Sequence, residues 1–397
     1  MNSTHSYAPD AGPSRSFRLA VTGGGTGGHT YPALTAIRTL QDRLAAAGRT
    51  LDVLWIGTEE GLEARVAPAE GIPFTSVATG KIRRSSNPLK MVSPANVKDM
   101  ARVPLGVAQA RKAIAEFTPD VVLATGGYVA VPAGLAARLC RRPLVLHEQT
   151  VRLGLANRKL ASSATRIAVS SESTLPLLPD AVRDLAVVTG NPVRPQVLAG
   201  QADKAVEALG LHGFDRRLPT VYVTGGAQGS QQINEVVRDL LPWLLEHANV
   251  VHQCGTANVD VLREHSARLP VGLAARYYLT GFVGPELPDV LALADVVLSR
   301  SGAGTLAELT ALGKAAVFIP LATSAGNEQA HNARHLHEAG AAVALLGEVS
   351  ARTLRDAVGP LLMEPARRAS IAQQARAHGK PDAADRLVDV ILSAASG

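Results

Sequence analysis

Apolar runs of strand length recur along the chain, and most lead through glycine or polar residues into a stretch with helical spacing. Leu19, Ala20 and Val21 run into the glycine-rich residues 23–28, and Tyr31, Leu34, Ile37, Leu40 and Leu44 follow at helical intervals. This pattern predicts strand, tight loop and helix. LDVLWIG (51–57) is a second strand, and residues 59–70 are compatible with a helix, so a parallel β–α–β unit is expected. The logic repeats at 121–124, where Gly126 and Gly127 end the run and Pro132 opens a helix of small residues. PLVLHEQT (143–150) and the runs 166–170 and 185–189 complete the first half. GNPVRP (190–195) carries two prolines that break regular structure, and a domain boundary is expected there.

The second half opens with TVYVTGGAQGSQQINEVV (220–237), a weak repeat of the first unit through V-T-G-G. Further strands are predicted within 249–255, 277–283, 294–299 and 315–322, with polar or glycine-rich residues behind them, where ligands sit in doubly wound sheets. Leu387, Val388, Ile391 and Leu392 make the last segment amphipathic. The expected layout is a tail over 1–16, one domain over 17–190, a second over 191–377, and a last helix over 378–397 packing back across either domain.

Composition narrows the partners. A chain of 397 residues with 46% hydrophobic content has material for two cores. Only 4% is aromatic, which argues against stacking platforms for single-stranded nucleic acid. The net charge of +6 favours a polyanion or an anionic membrane surface. The two cysteines, Cys140 and Cys254, are expected to be small buried groups in a reducing compartment. No apolar run is long enough for a membrane span and the N-terminus has no signal pattern, so a cytoplasmic protein is expected. Residues 80–112 hold Lys81, Arg83, Arg84, Lys90, Lys98, Arg102, Arg111 and Lys112 against a single acid, Asp99, with Leu89, Met91, Val92, Val103, Leu105 and Val107 interleaved. Two readings stand: a solvated helix face, or a surface resting on anionic lipid.

Three constellations carry chemistry. Gly23, Gly25 and Gly28 form G-x-G-x-x-G after a strand, and Glu59 follows the second strand. Alone, these would support an NAD enzyme. The same loop resembles a phosphate-binding P-loop, but His29 stands in place of the lysine. RSGAGTLAE (300–308) sets Ser301, Gly302, Ala303 and Gly304 before a helix whose N–H groups and dipole suit a diphosphate. Glu308 lies one turn on, either accepting from ribose hydroxyls or as a solvated helix residue. Asn327, Glu328, Gln329 and Asn332 offer amide and carboxylate groups suited to a sugar. His147 and Glu148 are either an acid–base pair or a structural tie between loops. H-E-x-x-H, C-x-x-C and D-x-D are absent, so the sequence offers no pattern for a tightly bound catalytic metal.

Taken in order, GGTGGHTYPAL (24–34), PDVVLATGGYVAVPAGLAA (119–137), LVLHEQ (144–149), GNPVR (190–194), VTGGAQG (223–229), ADVVLSRSGAGTLAE (294–308) and NEQAHNA (327–333) resemble the family of peptidoglycan N-acetylglucosaminyltransferases that act on lipid I. The resemblance spans nearly all of the chain beyond the tail. It implies an α/β GT-B fold, two Rossmann-like domains facing across a cleft, with 17–190 the acceptor and membrane-facing domain, 191–377 the UDP-sugar-binding domain, and the helix over 378–397 packing back on the first. It also implies transfer of N-acetylglucosamine from UDP-N-acetylglucosamine to the 4-hydroxyl of the muramic acid sugar of lipid I, giving lipid II with inversion. No cofactor is implied, the nucleotide sugar being a substrate. The partners are that donor, lipid I and, through segment 80–112, the anionic inner-membrane surface, with no nucleic acid; members are peripheral on the cytoplasmic face.

Residue by residue, Thr26, Gly27 and Gly28 match the family's first glycine loop, and His29 its loop histidine, near the acceptor or its diphosphate. His29 is the leading general base, since histidine ordinarily titrates near neutrality; the alternative is that it only positions the diphosphate. Tyr128, with His147 and Glu148, falls on the acceptor side. Arg194 matches a donor contact and Val283 the apolar residue that meets the uracil. Gly302, Ala303, Gly304 and Thr305 match the diphosphate loop, Glu308 the ribose contact and Gln329 a contact to the transferred sugar. Two positions depart from the family pattern. Thr150 replaces an asparagine near the sugar, and Ala227 replaces a serine near the phosphates, for which neighbouring Ser230 is a candidate substitute. The rivals are an NAD-dependent oxidoreductase, a GT-B enzyme acting on another lipid, and a UDP-N-acetylglucosamine epimerase.

Overall fold

The structure is a computed structural model that describes residues 16–80 and 94–397, with the backbone alone for residues 94–101 and 325. Two parallel sheets organise it. The first contains β1 (Phe17–Thr22), β2 (Leu51–Gly57), β3 (Phe74–Ser76), β4 (Val121–Ala124), β5 (Leu144–Glu148), β6 (Arg166–Val169) and β7 (Ala186–Val188), in the order β3-β2-β1-β4-β5-β6-β7. The second contains β8 (Thr220–Thr224), β9 (Asn249–Gln253), β10 (Tyr277–Thr280), β11 (Val296–Ser299), β12 (Ala315–Phe318) and β13 (Val343–Ala344), in the order β10-β9-β8-β11-β12-β13. Counted from its own first strand, each sheet begins 3-2-1-4-5-6, the Rossmann order, and each reverses beside its first strand. Leu19 pairs in parallel with Val53 on one side and Val121 on the other.

The apolar runs are continuous because both faces of these strands are covered. Successive side chains alternate between faces, and the second sheet shows this directly. Val221, Val223, Val296, Leu298 and Val317 enter one core cluster, while Tyr222, Val297, Ala316 and Phe318 enter another. In the first sheet Leu19, Ala20 and Val21 are all fully buried.

Four helices position the first loops: α1 (Gly27–Ala46), α2 (Glu63–Ala69), α3 (Pro94–Phe117) and α4 (Ala130–Leu139). On α1 the stripe Ala33, Ala36, Ile37, Leu40 and Leu44 is buried. Tyr31, expected on that stripe, is 46% exposed, because it lies at its edge and its ring packs along the backbone of Gly27. In the second half, α5 (Gln231–His247) buries Ile233, Val237, Leu240, Leu241 and Leu244, and Ser230 caps it by accepting the Ile233 N–H at 3.3 Å. Two further helices, α6 (Ala303–Leu312) and α7 (Glu328–Glu338), follow β11 and β12, and α8 (Ala383–Ala395) ends the chain.

The chain forms two compact units. The first comprises the described residues up to His147, with Leu155–Ile167 and Val388–Gly397; the second comprises Glu148–Gly154 and Ala168–Leu387. Within the first unit, Arg43 on α1 pairs with Asp389 on α8 at 2.7 Å. That pair is solvent-exposed and contributes at most about 1 kcal/mol.

Candidate active site

In the first unit the loops after β1 and β4 meet where strand order reverses, Thr22 lying beside Ala124. A Cβ on Gly127 would fall 2.5 Å from the Gly24 carbonyl oxygen, and one on Gly126 would fall 3.1 Å from the His29 ring. Glycine at 126 and 127 therefore lets the two loops touch, and their φ angles of +103° and +80° are ones that side chains disfavour. Thr125 fixes His29 from both ends. Its hydroxyl donates to the His29 carbonyl at 2.9 Å, and its own carbonyl lies 2.9 Å from His29 Nδ1. A carbonyl only accepts, so Nδ1 carries a proton.

Thr26 is the N-cap of α1 and makes no side-chain capping bond, and Gly27 and Gly28 are the first two helical residues. Their N–H groups are the ones an α-helix leaves without intrahelical partners. The Tyr128 ring lies 3.3 Å from where a Gly25 Cβ would stand. Thr26, Gly27, Gly28, His29 and Tyr128 are thus gathered around one helix N-terminus.

A residue that motif matching passed over lies beneath this loop. Glu63, at the start of α2, is fully buried and accepts the Gly25 N–H at 2.8 Å. Glu59, the acid that the dinucleotide-binding pattern singled out, is exposed and accepts the Ser76 hydroxyl at 3.2 Å. The available signal was the pair of glycines around Glu63: a Cβ on Gly57 or Gly61 would collide with its side chain.

His147 and Glu148 do not form an acid–base pair. They are neighbours on β5, so their side chains leave opposite faces of the sheet. The Glu148 carboxylate instead ties its own loop, accepting the Thr150 N–H at 3.1 Å and the Gly154 N–H at 2.8 Å. The Thr150 hydroxyl sits 2.8 Å from the same carboxylate and 2.7 Å from the Arg152 carbonyl. Thr150 thus belongs to a loop-ordering network.

In the second unit, α6 begins after β11, beside β8, again where strand order reverses. Gly302 is its extended N-cap and makes no side-chain capping bond. A Cβ on Gly302 or Gly304 would meet open space, so nothing in the fold demands glycine there. With Ala303 and Thr305 these residues form a bare first turn. Buried Ser301 anchors it to α7: its hydroxyl donates to the Gln329 carbonyl at 2.8 Å, and Asn332 donates to the Ser301 carbonyl at 3.2 Å. The Gln329 Oε1 accepts the Leu321 N–H at 3.0 Å, which leaves Nε2 as the side-chain atom to meet a ligand.

Arg194 grips Glu308. Its Nε and Nη2 lie 2.9 and 2.8 Å from the same oxygen, Oε1. Burial raises the Glu308 carboxyl pKa, and Arg194 opposes that rise. Arg300 is the second arginine of the region, and motif matching gave it no role. It bonds the Ser230 hydroxyl at 2.7 Å and the Ile319 and Pro320 carbonyls at 3.0 Å each, joining the loops after β8, β11 and β12. Ser230 is therefore committed to its helix cap and to Arg300, and this placement does not make it the substitute for the hydroxyl missing at Ala227. Ala227 itself is exposed. The Val283 side chain is buried, and its N–H donates to Gln253 Oε1 at 2.8 Å. The exposed apolar surface of that loop belongs to Phe282, 57% exposed.

Of the basic segment, Arg83, Arg84 and Lys90 lie outside the described residues. On the described part of α3, Arg102, Arg111 and Lys112 are exposed and Leu105 is 55% exposed. No helix among the described residues is long and apolar enough to cross a membrane.

Comparison with known proteins bears on the family and the fold. Residues 19–169 match the glycosyltransferase family 28 N-terminal domain, and residues 220–387 match the glycosyltransferase family 28 C-terminal domain. A Desulforudis audaxviator (strain MP104C) protein is 34% identical over 385 residues, covering 94% of this chain and 97% of its own. It is named UDP-N-acetylglucosamine--N-acetylmuramyl-(pentapeptide) pyrophosphoryl-undecaprenol N-acetylglucosamine transferase. A protein of the same name from Listeria monocytogenes is also 34% identical, covering 95% of this chain and 99% of its own. Among solved structures, MurG of Acinetobacter baumannii matches with a TM-score of 0.73 at 28% identity, covering 95% of this chain and 99% of that one. A UDP-GlcNAc 2-epimerase from Neisseria meningitidis matches with a TM-score of 0.64 over 95% of this chain and 99% of that one; at 16% identity it shows the fold alone. With both domains matched in order and relatives aligned over nearly the whole length, this chain belongs to glycosyltransferase family 28.

Proposed function

We propose that the chain transfers N-acetylglucosamine from UDP-N-acetylglucosamine to the 4-hydroxyl of the muramic acid sugar of lipid I, giving lipid II with inversion at the anomeric carbon. The observation that carries the mechanism is the His29–Thr125 contact, which fixes the imidazole beside a bare helix N-terminus with a proton on Nδ1. In this reading the N–H groups of Gly27 and Gly28 receive the lipid diphosphate, Tyr128 flanks it, and His29 takes the proton from the attacking hydroxyl. The first turn of α6, from Gly302 to Thr305, holds the donor diphosphate and stabilises the charge of departing UDP as preorganised donors. Arg194 occupies Oε1 of Glu308, so Oε2 faces the ribose hydroxyls, and Nε2 of Gln329 meets the transferred sugar. The loop carrying Val283 and Phe282 receives the uracil.

The acceptor carries a polyprenyl chain, so the enzyme works at a bilayer. The basic and apolar residues of segment 80–112 are the surface that meets anionic lipid on the cytoplasmic face. The names of the relatives support this substrate pair. An acceptor screen with radiolabelled UDP-N-acetylglucosamine tests the reading. Label is expected in a lipid-linked product only when lipid I or its soluble analogue is supplied. Label moving to another lipid, conversion of the donor to its 2-epimer, or thermal stabilisation by NADH but not by the donor would overturn it.

A further inference from the structure

Glu63 takes part in none of the steps above, yet the first glycine loop rests on it. The side chain is fully buried. Its Oε2 accepts the Gly25 N–H at 2.8 Å, and its Oε1 accepts both the N–H and the hydroxyl of Thr58 at 3.1 Å each. A Cβ on Gly24 would fall 2.1 Å from the carboxylate, so the loop backbone lies directly against it. No ion pair to Glu63 forms among the described residues. A buried carboxylate held by neutral donors is costly, and an apolar side chain of this size would fill the space more cheaply. Its chemistry is therefore the informative property: it is an acceptor on both oxygens, and it is aimed at backbone N–H groups.

We propose that Glu63 is a positioning residue for the acceptor half-site. By holding the Gly25 N–H it withdraws that donor from incoming anions. It confines the acceptor's diphosphate to the first turn of α1, the N–H groups of Gly27 and Gly28. The same bond fixes the backbone that leads into Thr26 and His29, and so sets the register of Nε2 against the attacking hydroxyl. This rests on the acceptor reading of the loop given above.

The test is two-substrate kinetics on Glu63→Gln with lipid I and UDP-N-acetylglucosamine. Glutamine keeps the shape but turns one acceptor into a donor facing an N–H group, so the loop must shift. The expected result is a fall in kcat/KM for the acceptor of about tenfold to a hundredfold, as for a small misplacement of reacting groups. The KM for the donor and the affinity for UDP should stay within about twofold of wild type, because the donor loop belongs to the other unit. Thr58→Val, which removes one of the bonds to Oε1, should show the same split at smaller amplitude, and it carries the test if Glu63→Gln does not fold. Unchanged acceptor kinetics in the variants, or acceptor and donor parameters worsening together, would overturn the proposal. A wild-type chain that transfers nothing to lipid I would instead defeat the acceptor reading itself, so the two failures are distinguishable.

Discussion

A single carbonyl decides what His29 can do. The Thr125 oxygen cannot donate, so it fixes the imidazole tautomer, and Thr125 also holds the His29 backbone through its hydroxyl. On the proposed reaction, His29→Asn keeps a side-chain N–H for Thr125 but removes the proton acceptor. Its kcat should fall by about two to four orders of magnitude, with donor KM nearly unchanged. Near-normal turnover would leave His29 only a positioning role.

A second histidine works the other way. His252 is buried, donating from Nε2 to Asn234 Oδ1 at 3.0 Å and accepting the Tyr277 hydroxyl on Nδ1 at 2.9 Å. Burial pushes its pKa down to about 4 from 6.5. The unfolded chain therefore binds this proton first as pH falls. The stability tied to neutral His252 is fully present above pH 6.5 and is lost towards pH 4, a loss of about 2 kcal/mol by pH 5. Urea unfolding at pH 7 and pH 5 measures it, and His252→Gln should flatten the difference.

At the scale of elements, much was legible in the sequence. Strands such as β1 and β8 are buried on both faces, and that forces unbroken apolar runs which turn chemistry cannot mimic. Loops after β1, β4, β8 and β11 were legible as candidate sites because glycine clusters there without breaking a helix. Side-chain partnerships were not legible. Glu63 and Glu59 are chemically identical and four residues apart, and only the packing of Gly24, Gly57 and Gly61 around one of them decides which is buried. Likewise, the alternation of β5 separates His147 from Glu148, although adjacency in sequence invited a pair. The bare first turn of α6 carries its own prediction. Gly304 lies inside the helix with open space at its Cβ position, so Gly304→Ala should raise stability by up to about 1 kcal/mol. If the donor diphosphate approaches that backbone as proposed, UDP affinity should drop at the same time. Thermal unfolding and UDP titration of the one variant check both; unchanged affinity would move the donor phosphates elsewhere.

At the scale of the whole molecule, two sheets of the same order each place a helix N-terminus at the point where the order reverses. The internal V-T-G-G repeat is the sequence trace of that duplication. Two bare helix ends suit two anionic substrates, and a single dinucleotide would leave the second without a purpose. On the proposed reading, the basic segment is a third site for an anionic partner, the membrane surface. Changing Arg83, Arg84 and Lys90 together to glutamate should weaken sedimentation with anionic vesicles far more than it weakens UDP binding. Equal vesicle binding would remove this segment from the account.

Transfer to lipid I with inversion is the claim on which the rest depends, and the configuration of the product tests it most directly. The purified chain is incubated with UDP-N-acetylglucosamine and lipid I, and the new glycosidic bond is read by NMR. The expected product carries a β linkage to the muramic acid 4-hydroxyl, formed from the α-configured donor. An α linkage, attachment at another hydroxyl, or recovery of unmodified lipid I would contradict it.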